Sequence, residues 1–252
     1  FFSSSLPPRP PILSGLVGSE MCIRDSLSLL LGGGLELTLL LSDGEKFFCA
    51  GADISMLDEV TPEFKYAFCL HANETLLRLE HTPKLVIAAL GGHCVGGGLE
   101  VALGCDLRVA RRGSGKCGLP EVALGVVPGT GGTQRLARVL GKSRAIRAMA
   151  TGELFDYERA QELGLVDELI DAEDDGAFME AVLEFARSFC TPEKAALAVG
   201  NIKRAVQSGL EVSLESGLAL ERELQAKLFS SADAKEGISA FVEKRDATFR
   251  GE

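Results

Sequence analysis

Short apolar runs and longer stretches of helical periodicity alternate along this chain. "LELTLLL" (Leu35 to Leu41) is almost wholly apolar and is followed by "SDGEK" (Ser42 to Lys46), which predicts a buried strand ended by a turn. A helical pattern then runs from about Thr61 to Leu79. "KLVIAAL" (Lys84 to Leu90) lacks the alternation of a half-exposed strand, which predicts a strand covered on both faces, as in a parallel sheet with helical crossovers. A short helix is expected from about Gly98 to Gly104, a strand at "DLRVA" (Asp106 to Ala110) and a turn at "RRGSGK" (Arg111 to Lys116).

"GLPEVALGVVPGTGGTQRLARVLG" (Gly118 to Gly141) reads as a short segment, a glycine-rich loop and a helix, with Pro120-Glu121 ahead of an apolar strand. From Lys142 to Leu163 the pattern is helical, with Asp156 as a helix cap, and "VDELI" (Val166 to Ile170) is a final strand. Helices are expected near 177–189, 193–208, 211–229 and 233–247. Strand–helix alternation followed by a helical tail predicts an α/β core over 35–190 and a C-terminal helical region over 191–252.

Residues 1–34 have a different character. "FFSSSLPPRPPILSGLVGSEMCIRDS" has a proline cluster and neither helical nor strand period, and "VGSEMCIRDS" resembles read-through sequence. The segment is left unassigned, as non-native or disordered. The Leu-rich run that follows is broken by three glycines, Glu36 and Thr38 and is too short for a membrane span.

Composition narrows the function. A 252-residue chain with a net charge of −10 does not present a nucleic-acid-binding surface as its main feature. Seven cysteines without a C-x-x-C pair fit buried thiols in a reducing, cytoplasmic compartment rather than a disulfide framework or a zinc ribbon. The three histidines, His71, His81 and His93, have no metal-ligand spacing, so no metal is expected.

Three glycine-rich stretches remain as candidate chemistry. In "FCAGADI" (Phe48 to Ile54), Gly51 and its small neighbours let a ligand approach backbone N–H groups; read alone, this is equally a tight strand-to-helix loop. In "VGGGLE" (Val95 to Glu100), glycines at a helix start expose N–H groups backed by the helix dipole. Two such groups converging from separate loops make an oxyanion hole. Pattern alone favours Glu100 as a first-turn acid complementing that dipole. "PGTGGTQR" (Pro128 to Arg135) suggests a phosphate loop, but the Gly141-Lys142-Ser143 nearby has Leu136 where such a loop needs glycine. Glu121 alone reads as a surface turn. Glu100 and Glu121 together, each among small and apolar residues, form a candidate acid–base pair.

"FCAGADISML", "PKLVIAALGGHCVGGGLEVALGCDLRVA" and "GLPEVALGVVPGTGGTQRLARVLG", in that order, resemble the enoyl-CoA hydratase/isomerase (crotonase) superfamily. "TGELFDYERAQELGLVDELI" and "KEGISAFVEKRDATF" extend the resemblance from about Glu36 to Gly251. It implies a crotonase-like α/β fold, a spiral of ββα units, with a C-terminal helical oligomerisation region that packs as homotrimers or dimers of trimers. It also implies an acyl-CoA thioester substrate, with coenzyme A as part of the substrate and no separate cofactor. By motif position, the N–H groups of Ala52 and Gly97 bind the thioester oxygen and Glu100 and Glu121 are the catalytic acids. Ala50 and the segment Ala52, Asp53, Ile54 and Ser55 line the path of the coenzyme A arm.

With both acids present, hydration of a 2-enoyl-CoA is the expected reaction. A 3-enoyl-CoA isomerase, or another crotonase-type lyase or hydrolase, is the alternative, and RNA binding is opposed by the net charge. Two departures stand out. The acids are 21 residues apart, one more than in the familiar hydratases, with the extra residue in "RRGSGK". The family's first strand, with its Arg-Pro and Asn-Ala-Leu signature, is missing before residue 35, which leaves an open sheet edge.

Overall fold

A computed structural model describes residues 25–31, 34–41 and 46–252, with the side chains of Ser55, Met56 and residues before Glu36 outside that description. Three chain segments repeat one plan: a strand in a first sheet, a strand in a second sheet, then helix. The first turn holds β2 (Gly34–Leu41), β3 (Phe47–Cys49), α1 (Ile54–Glu59) and α2 (Pro62–Glu80). The second holds β4 (Leu85–Leu90), β5 (His93–Val95) and α3 (Gly97–Leu103). The third holds β6 (Leu107–Arg111), β7 (Lys116–Gly118), a 3₁₀ turn (Glu121–Leu124) and α4 (Gly132–Leu140). Then come α5 (Lys142–Thr151), β8 (Leu154–Asp156), α6 (Tyr157–Glu162) and β9 (Glu168–Ile170). The helices α7 (Asp175–Arg187), α8 (Ala196–Gly209), α9 (Leu214–Phe229) and α10 (Ala232–Glu243) complete the chain.

One sheet has the order β1-β2-β4-β6-β9, where β1 is Asp25–Leu31, and β2, β4, β6 and β9 are parallel. The other has the order β3-β5-β7-β8, antiparallel only at β7–β8. Both faces of the first sheet are covered, which accounts for the unbroken apolar run of β4. Val86, Ala88 and Leu90 pack toward Phe48, Cys94 and Leu99, whereas Ile87 and Ala89 meet Leu37, Val109 and the α7 residues Phe178 and Val182. The C-terminal region is tied down by an ion pair. Lys203 on α8 reaches Asp106 at 2.8 Å and donates to the carbonyl of Lys84 at 2.9 Å.

The three-residue strands β3, β5 and β7 are not among the expected elements, and three further expectations differ from what is observed. A strand does lie in the segment left unassigned: β1 pairs antiparallel with β2, Leu27 opposite Leu39 and Leu29 opposite Leu37, and covers the edge expected to be open. Residues 1–24, 32–33 and 42–45 lie outside the described residues, and the turn expected over Ser42 to Lys46 falls mostly among them. The helical reading from Lys142 to Leu163 is interrupted, because Gly152 takes φ +66° at the end of α5 and lets Leu154–Asp156 join β7 as β8. Asp156 does cap α6, accepting from Arg159 N at 2.8 Å. The strand expected after Pro120-Glu121 is a 3₁₀ turn closed by Gly125 at φ +72°.

Candidate active site

All three glycine-rich stretches converge on one cavity of about 510 Å³, lined by residues from α2, α3, the 3₁₀ turn and the loop before α4. Ala50, Ala52, Ile54, Gly97, Glu100 and Glu121 all face it. Asp53 is exposed beside it, its carbonyl accepting from Leu57 N at 3.2 Å, and the side chain of Ser55 lies outside the described residues.

The first two stretches meet backbone to backbone. Gly51 takes φ +87°, and a Cβ there would stand 2.8 Å from Gly97 N, so only glycine permits this approach. A Cβ on Gly97 would lie 3.7 Å from Ala52 N. The loops carrying the N–H groups of Ala52 and Gly97 are therefore in contact at the cavity wall. Gly96 N donates to Gly118 O at 2.9 Å, tying the α3 entry to β7.

Glu100 is 3% exposed, on the fourth residue of α3. An acid so buried is costly unless its oxygens are satisfied, and here they are. Oε1 accepts from Thr130 N at 2.8 Å and Gly132 N at 2.7 Å, and Oε2 accepts a short bond from the Thr130 hydroxyl. These donors come from "PGTGGTQR". The loop rejected above as a phosphate site does cradle an anion, and the anion is the protein's own glutamate. Gly132 has to be small for this, since a Cβ there would lie 2.9 Å from Glu100 Oε1. Thr130 was not singled out from the sequence. The signal that could have found it was a hydroxyl beside paired glycines, downstream of a buried acid.

Glu121 is held differently. Its carboxyl lies over Gly96, where an added Cβ would stand 3.1 Å from Oε1, and its Oε2 is buried without a hydrogen-bond partner among the described residues. Burial pushes its pKa above the ordinary carboxyl value, against its backbone hydrogen bond, and the charge of Glu100 pushes the same way while Lys65 opposes. The cavity thus holds two unlike acids: one fully hydrogen-bonded by donors, the other short of partners and inclined to keep its proton. Among the described residues no cluster of His, Cys, Asp and Glu could hold a metal ion, and no helix is long and apolar enough to cross a membrane.

If Thr130 positions Glu100, Thr130→Val should lower kcat about 10-fold with KM little changed, while Thr130→Ser stays near wild type. Steady-state kinetics of the two variants checks this; equal loss in both would assign the threonine to packing.

Several known proteins are similar to this chain. The chain is 37% identical over 207 residues to a short-chain-enoyl-CoA hydratase of Clostridium acetobutylicum, covering 82% of this chain and 77% of that protein. It is 34% identical over 215 residues to a crotonyl-CoA hydratase of Syntrophomonas wolfei, covering 85% and 80%. The crystal structure of an enoyl-CoA hydratase from Geobacillus kaustophilus superimposes with a TM-score of 0.81 at 48% identity, covering 85% of this chain and 79% of that one. The fold is therefore crotonase-like. The family profile described as enoyl-CoA hydratase/isomerase matches residues 36–252, and the chain belongs to that family.

Proposed function

We propose that the protein is an enoyl-CoA hydratase, adding water across the 2,3 double bond of a 2-enoyl-CoA thioester. The observation that carries this is the pairing of two unlike carboxylates, Glu100 and Glu121, on one cavity whose wall is the contact between the Ala52 and Gly97 loops. As the water oxygen bonds to C3, the π electrons move toward the thioester carbonyl and negative charge grows on its oxygen. The N–H groups of Ala52 and Gly97 stabilise that charge, an effect worth about 3–4 kcal/mol per donor in comparable sites. Glu100, whose partners are all donors, takes the proton released by the water. Glu121 delivers its proton to C2. The product is a 3-hydroxyacyl-CoA, and solvent resets the two acids.

Coenzyme A enters as part of the substrate, with Ala50, Ala52, Asp53, Ile54 and Ser55 along its arm, and no further cofactor takes part. The compartment is the cytoplasm. Association into trimers, or dimers of trimers, through the C-terminal helices is supported by Leu210, Leu214 and Phe241, which expose 79%, 78% and 86% of their surface in the single chain.

The test is loss of the conjugated thioester absorbance of crotonyl-CoA in wild type, Glu100→Gln and Glu121→Gln. Loss that needs both acids supports hydration; no loss from a folded, coenzyme A-binding protein rejects it in favour of isomerase, lyase or hydrolase chemistry.

The raised pKa of Glu121 gives a pH dependence in two readouts. As the proton donor it works only while protonated, so kcat/KM should fall on the alkaline side, with a limb above the ordinary carboxyl range. For stability the sign is opposite to that of a salt-bridged acid. Between the unfolded pKa and the raised folded pKa the native state binds more protons than the unfolded chain, so stability declines as pH rises through that window. Glu121→Gln removes this penalty. It should melt a little higher than wild type at pH 8, with the gap closing near pH 4, which differential scanning fluorimetry across that range would read.

A further inference from the structure

The walls of the active-site cavity are hydrocarbon, from Leu57, Val60, Phe68, Leu124 and Val126, and its charged groups are Glu100, Glu121 and Lys65. The two acids have roles in the reaction proposed above. The lysine has none. It sits on α2, is half-buried, and among the described residues makes no ion pair. Its ammonium lies 4.8 Å from the centre of the Phe68 ring, so it is held against the cavity wall. A lysine with nothing to bind extends its stem and puts the charge in water. The Lys65 ammonium instead lies against the Phe68 ring on the cavity lining, with no carboxylate at ion-pair distance among the described residues, and is a partner for an incoming anion.

We propose that Lys65 is a specificity-determining residue that pairs with a carboxylate at the far end of the acyl chain, so that the substrates are 2-enoyl-CoA thioesters with an ω-carboxylate. This rests on the acyl-CoA reading of the site. An alkyl tail needs only the apolar wall and gains nothing from a cation. A carboxylate tail, by contrast, enters a pocket that already holds two acids, in a chain of net charge −10, and without a local cation it is repelled. Among the described residues Lys65 is the one cation on the cavity lining, and it supplies a charge-assisted hydrogen bond at that point. The same ammonium could instead meet a phosphate of the coenzyme A moiety, or serve only to restrain the pKa of Glu121. The experiment separates the three.

Dissociation constants are measured by calorimetry for glutaryl-CoA, butyryl-CoA and free coenzyme A, none of which requires turnover, on wild type, Lys65→Met and Lys65→Arg. Wild type should bind glutaryl-CoA about 10-fold more tightly than butyryl-CoA, the equivalent of one added charge-assisted contact. Lys65→Met should abolish or reverse that preference and Lys65→Arg should keep most of it. In turnover, the ratio of kcat/KM for glutaconyl-CoA to that for crotonyl-CoA should fall about 10-fold in Lys65→Met. Equal weakening of all three ligands would overturn the proposal in favour of a phosphate contact. An unchanged ratio with a displaced alkaline limb would overturn it in favour of Glu121. Wild type that binds the thioesters without preference rejects this inference alone, whereas wild type that binds none of them rejects the acyl-CoA reading itself.

Discussion

Glu100→Gln is expected to lower the rate of crotonyl-CoA hydration by about 10³-fold, within the usual range for loss of a positioned general base. The substitution is close to silent for the fold, which makes the result interpretable. The amide oxygen can take the place of Oε1 and accept from Thr130 N and Gly132 N, while the NH₂ group faces the Thr130 hydroxyl, which rotates from donor to acceptor. Both backbone donors keep an acceptor and only the Thr130 hydroxyl hydrogen loses one, so the melting temperature should fall by no more than a few degrees. Stopped-flow or steady-state absorbance with a parallel melt reads both quantities. Full activity in a folded Glu100→Gln protein would mean that Glu100 is not the base and that the water is activated elsewhere.

The second large effect is on the scaffold. Gly98 lies where α3 is seated on β3, and a Cβ at this position would overlap the carbonyl oxygen of Cys49 and stand 2.7 Å from its carbonyl carbon. The obstacle is backbone, inside a sheet, and cannot swing aside. Gly98→Ala is expected to cost about 3 kcal/mol or more, a fall of roughly 6–12 °C in melting temperature, or to give insoluble protein. Any soluble fraction should have lost most activity, because α3 carries both the Gly97 N–H and Glu100. Thermal melts by circular dichroism decide it. A melt unchanged from wild type would show that α3 does not need this close approach.

How much of this could be read in advance depended on segment length. β4, six residues long and apolar throughout, was legible together with the burial of both its faces, and so were α2 and the four C-terminal helices within a few residues. β3, β5, β7 and β8 were not. Each is three residues long, too short for a period to show, and each exists through pairing with strands distant in sequence. β1 was discounted because its surroundings read as foreign, although Leu27 and Leu29 alternate with serines as a strand would. The candidate site was legible as three motifs and two acids, and all three motifs do line one cavity. What could not be read was the bond between Thr130 and Glu100, since a threonine in a glycine-rich loop carries no mark of what the fold will set opposite it. Lys65 was invisible for a related reason: on a helix with exposed neighbours, a lysine reads as solvated surface.

The clasp of Glu100 by Thr130 and Gly132 has a geometric consequence. Measured along the chain the two acids are 21 residues apart, but that route through β6 and β7 does not set their separation. The shorter circuit does: from Glu121 through the 3₁₀ turn to Thr130, and across a hydrogen bond to Glu100. The two acids are thus linked through one small ring of structure. The turn between β6 and β7 lies outside that ring, and its Gly113 faces open space. A change of length at that corner would therefore leave the hydrogen-bonded link between the two acids in place.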